Sequence, residues 1–138
     1  MKKFILPLIA LALTVSSCSK DKNGTQSTES SASQATVVNL NAKEFAEKSP
    51  SGTILDVRTP GEVAQGKIEG AVVIDFYQSD FMDRVSNISK DQEIYIYCAV
   101  GARSEEAARM LVQQGYTKVY HLQGGIQAWY QNGFPISQ

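Results

Sequence analysis

Short apolar runs alternate with segments of helical spacing from residue 36 to the end of the chain. Ile94–Tyr97 consists of β-branched and aromatic residues and is too short for a helix, so it predicts a buried strand. Residues 105–114 are rich in Ala, Arg, Met, Leu and Gln, which favour a helix. Small residues lie between the two segments, so the pattern predicts a strand, a loop and a helix in that order. Other strands are predicted at Val37–Leu40, 53–57, 71–74 and 118–122.

Polar residues and glycines predict where the other helices begin and end. Asn41 lies three residues before Glu44, which is the spacing of a capping box. The helix that it caps is expected to end near Lys48 and to place Phe45 in the core. Further helices are predicted at 62–65, at 80–88 with Ser79 as the cap, and at 126–131 after Gly124 and Gly125. This alternation is typical of an α/β domain with a mainly parallel sheet and helices on both faces, and it leaves the strand order open.

The N-terminal residues follow a different pattern. Lys2 and Lys3 precede an apolar run at 4–15, and small residues then lead to Cys18, as in a targeting signal. The apolar run is shorter than the roughly 20 residues that span a bilayer. Residues 15–18 resemble a bacterial lipobox, so we predict a signal peptide at 1–17 and acylation of Cys18. A plain secretory signal and an uncleaved anchor are the alternatives.

A polar segment separates the predicted anchor from the predicted domain. Residues 19–35 are rich in Ser, Thr, Gln, Asn and Lys and contain no large apolar side chain, which predicts a flexible tether. The expected organisation is therefore a lipidated N-terminus and tether at 18–35 and one domain at 36–138. The expected location is the bacterial cell envelope, with a lipoprotein anchored to a membrane on the periplasmic or extracytoplasmic side.

Charge and metal-ligating residues narrow the classes of function. The chain has 13 basic and 14 acidic residues, and removal of residues 1–17 would take away two lysines and no acidic residue. A nucleic-acid partner is not expected, because it would require a basic surface. His121 is the single histidine and lies in a predicted strand, so a packing or surface role is expected. Without a cluster of histidines and cysteines, we expect no metal site and no cofactor.

Cys98 is the candidate reactive group. It lies at the carboxyl end of a predicted strand and before a helix, where ligands bind in α/β sheets and where thiol pKa values fall to about 3.5–7.5. The small residues 99–102 would let the backbone curl around the sulfur, and Arg103 could hold an anionic oxygen. Acylation of Cys18 would leave Cys98 as a free thiol, which suggests that the thiol is used. The alternative is a buried structural cysteine beside a surface Arg103.

Three motifs in this order resemble those of the single-domain rhodaneses, a family of sulfurtransferases. Residues 98–104 resemble the family's active-site loop, residues 55–71 its first signature, and residues 122–129 its closing turn and helix. Lys67 and Glu69 depart from the family pattern, which usually has His and Pro there. Together the motifs cover the chain from about residue 36 to its end.

The resemblance implies a rhodanese-like three-layer domain that moves a sulfane sulfur. Cys98 would take the sulfur from thiosulfate or a persulfide and pass it, through a Cys98 persulfide, to a thiol or cyanide-like acceptor. Asp56 and Arg58 would brace the active-site loop as an ion pair. The substrate-binding residues implied are Ala99, Val100, Gly101, Ala102, Arg103 and Ser104.

Two other functions stay open at this point. A rhodanese-like domain can bind a partner protein without turnover, although the presence of Cys98 disfavours that role. The related phosphatases also use a cysteine and an arginine in one loop. Their loop is longer by one residue than residues 98–103, because phosphate oxygens need a wider cradle than one sulfur atom.

Overall fold

The structure of the protein is a computed structural model, and it describes residues 35–138. Five parallel strands form one sheet in the order β1-β5-β4-β2-β3. The strands are β1 Val37–Leu40, β2 Thr53–Asp56, β3 Val72–Val73, β4 Ile94–Tyr97 and β5 Val119–Leu122. The predicted α/β class with a parallel sheet is confirmed. The strand order, which the sequence pattern leaves open, places β4 at the centre of the sheet.

Helices cover both faces of the sheet. They are α1 Ala42–Lys48, α2 Pro60–Val63, α3 Phe81–Val85, α4 Ala102–Gln113 and α5 Gly125–Gln131. Residues of α3 and α4 pack in one apolar cluster with Ile94 and Ile96, whereas residues of α1 and α5 pack in another with Tyr95 and Tyr97. All four residues of β4 are buried, as expected for a strand that is covered on both faces. Cys98 follows this central strand directly.

The capping box predicted at the first helix is confirmed. The side chain of Asn41 accepts a hydrogen bond from the amide of Glu44, and the Glu44 carboxylate accepts one from the amide of Asn41. The helix ends at Lys48, and Phe45 is fully buried as predicted. Local sequence is sufficient here because every group of the motif lies within one turn of the chain.

Two other helix starts differ from the prediction. Helix α2 begins at Pro60 instead of residue 62, because Thr59 forms a capping box with Glu62 and Pro60 occupies the first helical position. Asp80 instead of Ser79 is the cap residue of α3, and its side chain makes no capping hydrogen bond. The edge strand β3 is also shorter than the predicted 71–74, since its ladder with β2 comprises two residue pairs.

Helix α4 begins at Ala102, three residues earlier than predicted. Gly101 precedes it with a φ of 109°, a left-handed conformation that favours glycine. Arg103 and Ser104 therefore lie in the first helical turn instead of in the loop. This brings the hydroxyl of Ser104 and the first amides of the helix toward Cys98.

The predicted signal peptide, the acylated Cys18 and nearly all of the predicted tether lie outside the described residues. Within residues 35–138, no helix has both the length and the apolar composition needed to cross a membrane.

Candidate active site

The loop that follows β4 is held from below by the start of α5. The amide of Ile126 donates to the Cys98 carbonyl at 2.8 Å, and the amide of Gln127 donates to the Ala99 carbonyl at 3.1 Å. Gly125 has a φ of 61°, and a Cβ there would lie 2.5 Å from both carbonyl oxygens. The turn before α5 therefore requires glycine at this position, and it fixes the backbone at Cys98 and Ala99.

The Cys98 sulfur is almost completely buried and accepts hydrogen bonds from the start of α4. Only 1% of the surface of Cys98 is exposed. The Gly101 amide lies 3.1 Å from Sγ, and the Ser104 hydroxyl lies 3.4 Å from it. The arrangement places hydrogen-bond donors and a helix N-terminus around one sulfur atom, as predicted for an ionisable thiol.

Two opposing effects determine the pKa of the Cys98 thiol. Burial raises the pKa, because it disfavours the charged thiolate. Hydrogen bonds from the Ser104 hydroxyl and from the backbone amides of Ser104, Gly101 and Val100 lower it and outweigh burial. The pKa of Cys98 is thus below its ordinary value, which favours the nucleophilic thiolate.

Arg103 forms a two-pronged ion pair with Glu62. Its Nη1 donates to Oε2 at 2.8 Å and its Nη2 donates to Oε1 at 2.6 Å. Hydrogen bonds from Arg103, supported by those from Thr59, lower the pKa of Glu62 to about 2. The same pairing raises the pKa of Arg103. The guanidinium fork that the sequence assigns to a donor's anionic oxygen therefore faces a carboxylate of α2.

The mouth of the site carries exposed apolar surface beside this ion pair. The guanidinium carbon of Arg103 lies 5.5 Å from the centre of the Tyr77 ring. Tyr77 is 68% exposed and Val100, in the loop, is 60% exposed. Ala102 is also exposed, whereas Ser104 is buried. The aromatic ring of Tyr77 and the paired guanidinium of Arg103 therefore lie together, and Val100 is exposed in the loop itself.

Asp56 and Arg58 form a buried ion pair at the end of β2, next to β4. Arg58 Nη2 donates to Asp56 Oδ2 at 2.6 Å and to the Gly66 carbonyl at 2.8 Å. The Tyr97 hydroxyl also donates to Asp56 Oδ2 at 2.6 Å, and it accepts from the Ile68 amide at 3.0 Å. The network joins two strands and the segment after α2 just before the Cys98 loop begins. The bracing role of Asp56 and Arg58 stays a prediction.

His121 contacts the active-site loop, which the sequence did not predict. It lies beside Asn39 in β1 and Ile96 in β4, and it is 4% exposed. Its Nε2 is 3.0 Å from Ser104 Oγ and 3.1 Å from the Gly101 carbonyl oxygen, and its Nδ1 is 3.0 Å from Asn39 Oδ1. Burial lowers the pKa of the imidazole. The signal for this contact is the position of His121 near the carboxyl end of a strand that neighbours β4.

The sequence also did not predict the pairing of Glu62 with Arg103. The sequence placed Glu62 at the start of a short helix. The position of Glu62 within the first family signature was the signal that could have indicated the pairing.

Within residues 35–138, no group of three His, Cys, Asp or Glu residues is arranged to hold a metal ion. The described site is thus built from one thiol, its hydrogen-bond donors and two ion pairs.

Known proteins with similar sequences include sulfurtransferases. A model of the rhodanese-like domain matches residues 41–132. A sulfurtransferase of Allochromatium vinosum is 46% identical over 83 residues, which cover 60% of this chain and 76% of that protein. Thiosulfate sulfurtransferase 18 of Arabidopsis thaliana is 32% identical over 125 residues, which cover 81% of this chain and 92% of that protein.

Solved structures agree on the fold and differ in the activity that their descriptions name. A rhodanese-related protein of Thermoplasma volcanium superposes with a TM-score of 0.66 at 32% identity, covering 72% of this chain and 97% of that one. A protein of unknown function from Rhodopseudomonas palustris, described as a possible tyrosine phosphatase, superposes with a TM-score of 0.62 at 30% identity. That match covers 73% of this chain and 85% of the other.

Proposed function

The chain belongs to the rhodanese-like domain family, and on that premise we propose that it is a sulfurtransferase that uses Cys98 as its nucleophile. The main support is the Cys98 sulfur, which lies between the Gly101 amide and the Ser104 hydroxyl at the start of α4. These donors favour the thiolate, and the thiolate is the form that attacks sulfur. The sulfurtransferases among the relatives support the same reaction class.

In the first half-reaction, the Cys98 thiolate attacks the outer sulfur of the donor. A new S–S bond forms at Sγ while the S–S bond of the donor breaks, and its electron pair leaves on sulfite or on a thiolate. Sulfite is the leaving group of thiosulfate, and a thiolate is the leaving group of a persulfide. The amides at the start of α4 would stabilise the negative charge of the Cys98 persulfide.

In the second half-reaction, a thiolate or cyanide-like acceptor attacks the outer sulfur of the Cys98 persulfide. The S–S bond to Sγ breaks, and its electron pair returns to Cys98 as the thiolate. No external oxidant or reductant is needed, because each step exchanges one nucleophile for another at sulfur. The two half-reactions predict ping-pong kinetics.

The surroundings of Arg103 favour a persulfide over thiosulfate as the natural donor. Glu62 occupies both prongs of the guanidinium, so a doubly charged donor would have to compete with a carboxylate for Arg103. Tyr77, which lies against Arg103, offers an exposed apolar contact, and Val100 is exposed in the Cys98 loop. An organic persulfide has a smaller charge and an apolar portion that can pack on these side chains.

Sulfur-transfer kinetics test this proposal. The wild type and Cys98→Ser would be assayed with thiosulfate and with an organic persulfide as donors, and with a thiol or cyanide as acceptor. We expect parallel-line, ping-pong kinetics in the wild type and no transfer above background in Cys98→Ser. Equal activity of the two proteins would contradict the proposal.

A phosphatase is the second candidate, because one similar structure is described as that of a possible tyrosine phosphatase. In this chain the Gly101 amide points at the cysteine sulfur itself, and six residues run from Cys98 to Arg103. Hydrolysis of an aryl phosphate by the wild type, lost in Cys98→Ser, would support this candidate. We expect none above background.

We further propose, from residues 1–35 alone, that the protein is a lipoprotein of the bacterial cell envelope. Acylation of Cys18 would anchor the domain to a membrane on the periplasmic or extracytoplasmic side. The mass of the mature protein purified from membranes tests this proposal. It should begin at Cys18 and include acyl chains, and a soluble protein that retains residues 1–17 would contradict it.

A further inference from the structure

A continuous series of hydrogen-bond contacts connects Cys98 with His121. Cys98 Sγ lies 3.4 Å from Ser104 Oγ, which lies 3.0 Å from His121 Nε2. On the other side of the ring, Nδ1 lies 3.0 Å from Asn39 Oδ1. Cys98, Ser104 and His121 are all at least nine-tenths buried. The proposed reaction gives no substrate-contacting role to the imidazole, so its contact with Ser104 calls for an explanation.

The partners of the imidazole determine which nitrogen holds the proton. Asn39 Oδ1 can only accept a hydrogen bond, so the neutral ring that satisfies it has its proton on Nδ1. Nε2 is then unprotonated and can accept from the Ser104 hydroxyl. It also lies 3.1 Å from the Gly101 carbonyl oxygen, which can only accept, so protonation of Nε2 would complete the hydrogen bonds on both sides of the ring. In the neutral state the Ser104 oxygen can accept from the neighbouring thiol. The contacts thus form a path on which one proton can move at each step.

We propose that His121 is a positioning residue that acts through Ser104 and accepts the proton of Cys98 when the thiolate forms. The S–H bond of Cys98 breaks and its proton bonds to Ser104 Oγ, while the original hydroxyl proton of Ser104 moves to His121 Nε2. The products are a thiolate and an imidazolium, with a neutral serine between them. The Ser104 hydroxyl then donates to Sγ, and the charged ring donates to Ser104 at Nε2 and to Asn39 at Nδ1.

Burial keeps the imidazole neutral before the transfer, and a hydrogen bond favours its protonation. Burial is the largest influence on the pKa of His121 and lowers it, so it favours the neutral ring. The hydrogen bond with the Gly101 carbonyl acts in the opposite direction and raises this pKa. Among neighbouring charges on α4, Glu105 raises this pKa and Arg109 lowers it. Glu105 and Arg109 also pair with each other at 2.8 Å, which limits their separate effects.

Other charged or titratable groups adjoin the thiol end of the path. Arg103 of α4 pairs with Glu62 of α2, and Tyr77 lies against the Arg103 guanidinium. These groups belong to the mouth of the site. The imidazole end adjoins a cavity of about 370 Å³ whose lining includes Asn39, Glu105 and His121.

The rate of Cys98 alkylation by iodoacetamide, measured against pH in the purified full-length protein, tests the inference. His121→Gln is the central variant, because its amide can still contact Ser104 and Gly101 but cannot take a proton at that pH. We expect the midpoint of alkylation to rise in this variant and the rate near pH 7 to fall about tenfold, which corresponds to about one pKa unit. Ser104→Ala should raise the midpoint similarly.

The double variant and a folding control sharpen the test. If His121 acts through Ser104, Ser104→Ala with His121→Gln should shift the midpoint no further than Ser104→Ala alone. Additive shifts would overturn the path through Ser104. His121→Asn, which can contact Asn39 but not reach Ser104, serves as a second variant if His121→Gln unfolds. Thermal unfolding followed by circular dichroism identifies folded variants.

The role of His121 in catalysis rests on the sulfurtransferase proposal, but the two can be tested separately. A folded His121→Gln with the wild-type alkylation profile would overturn the role of His121, whether or not the protein transfers sulfur. A shifted profile in a protein that never forms a persulfide would support the role of His121 and contradict the sulfurtransferase proposal. Glu105→Gln is the electrostatic control, and a shift as large as that of His121→Gln would assign the effect to charge alone and overturn the inference.

Discussion

At the residue scale, Cys98 combines a buried sulfur with a thiol pKa below its ordinary value, and the reason is local. Burial alone would keep Cys98 as a neutral thiol, but the donors at the start of α4 face the sulfur directly. Two of these donors, at Val100 and Gly101, belong to a loop whose carbonyls at Cys98 and Ala99 are bound by α5. The reactivity of Cys98 therefore depends on backbone geometry more than on any neighbouring positive side chain.

Glu62→Gln tests the role of the carboxylate at the mouth of the site. Without the charge of Glu62, Arg103 becomes available to an anionic donor, so we expect a lower KM for thiosulfate and a smaller change for an organic persulfide. Steady-state kinetics with both donors measure the difference. Glu106→Gln, on the exposed side of α4, is a matched control that should leave both KM values unchanged. A higher KM for thiosulfate in Glu62→Gln would contradict this interpretation of the ion pair.

At the element scale, the starts of α4 and α5 both contact the Cys98 loop, and each binds different groups of it. Gly101, which precedes α4, and Ser104 in its first turn donate to the Cys98 sulfur, and the first turn of α5 donates to the loop carbonyls. Both helices follow a glycine in a left-handed conformation, Gly101 before α4 and Gly124 before α5. Their packing against opposite faces of the sheet holds the loop at the carboxyl end of β4.

Gly125→Ala tests the contact between α5 and the loop. The added Cβ would lie 2.5 Å from the carbonyl oxygens of Cys98 and Ala99, so the loop must shift. We expect loss of most sulfur transfer and a fall in the free energy of unfolding of more than about 2 kcal/mol. Gly133→Ala is the matched control, because Gly133 also has a positive φ of 79° but nothing lies near its added Cβ.

Comparing these two variants separates two effects on the protein. One is the contact of the added Cβ with the carbonyl oxygens of the loop, and the other is the strain of a left-handed backbone. Gly133→Ala should lower the free energy of unfolding by about 1–2 kcal/mol, the cost of a left-handed conformation, and leave kcat unchanged. Chemical denaturation and steady-state kinetics give both values. Equal effects of the two substitutions on kcat would show that the α5 contact does not hold the loop.

At the scale of the whole molecule, strand order decides which residues of the site could be predicted from sequence. The Asn41 cap and the strands at 37–40 and 94–97 follow from local patterns and agree with the structure. The contacts of His121 and Glu62 with the start of α4 depend on which strands are neighbours. Periodicity along one strand does not encode its neighbours, so these contacts could not be derived.

The start of α4 shows a second limit of local patterns. Residues 102–104 have a composition that suits a loop or a helix, and the left-handed Gly101 decides in favour of the helix. The consequence is chemical, because the helix places Ser104 between Cys98 and His121. The sequence assigned Ser104 to the substrate-binding loop, and the structure places it in the first turn of α4.

The pairing of Glu62 with Arg103 also links acid stability to the integrity of the site. The pKa of Glu62 is about 2 in the folded protein, below its ordinary value of 4.5. A lowered carboxyl pKa stabilises the folded state fully above the ordinary value, and the contribution is lost as pH falls toward 2. Because both side chains are partly exposed, we expect about 1 kcal/mol after solvent screening.

Chemical denaturation at a series of pH values checks this expectation. The free energy of unfolding of the wild type should exceed that of Glu62→Gln by about 1 kcal/mol at pH 6–7. The difference should shrink steadily between about pH 4.5 and pH 2. If the difference in free energy of unfolding stays constant over that pH range, the charge of Glu62 does not stabilise the protein through its pair with Arg103.

We propose that Cys98 holds the transferred sulfur, and intact-protein mass spectrometry can detect that sulfur on the protein. The wild type and Cys98→Ser would be treated with an organic persulfide or thiosulfate, desalted and then treated with cyanide. We expect the wild type to gain the mass of one sulfur atom and to lose it on treatment with cyanide, and we expect Cys98→Ser to gain none. A wild type that gains no sulfur from either donor, or an equal gain in Cys98→Ser, would contradict the account.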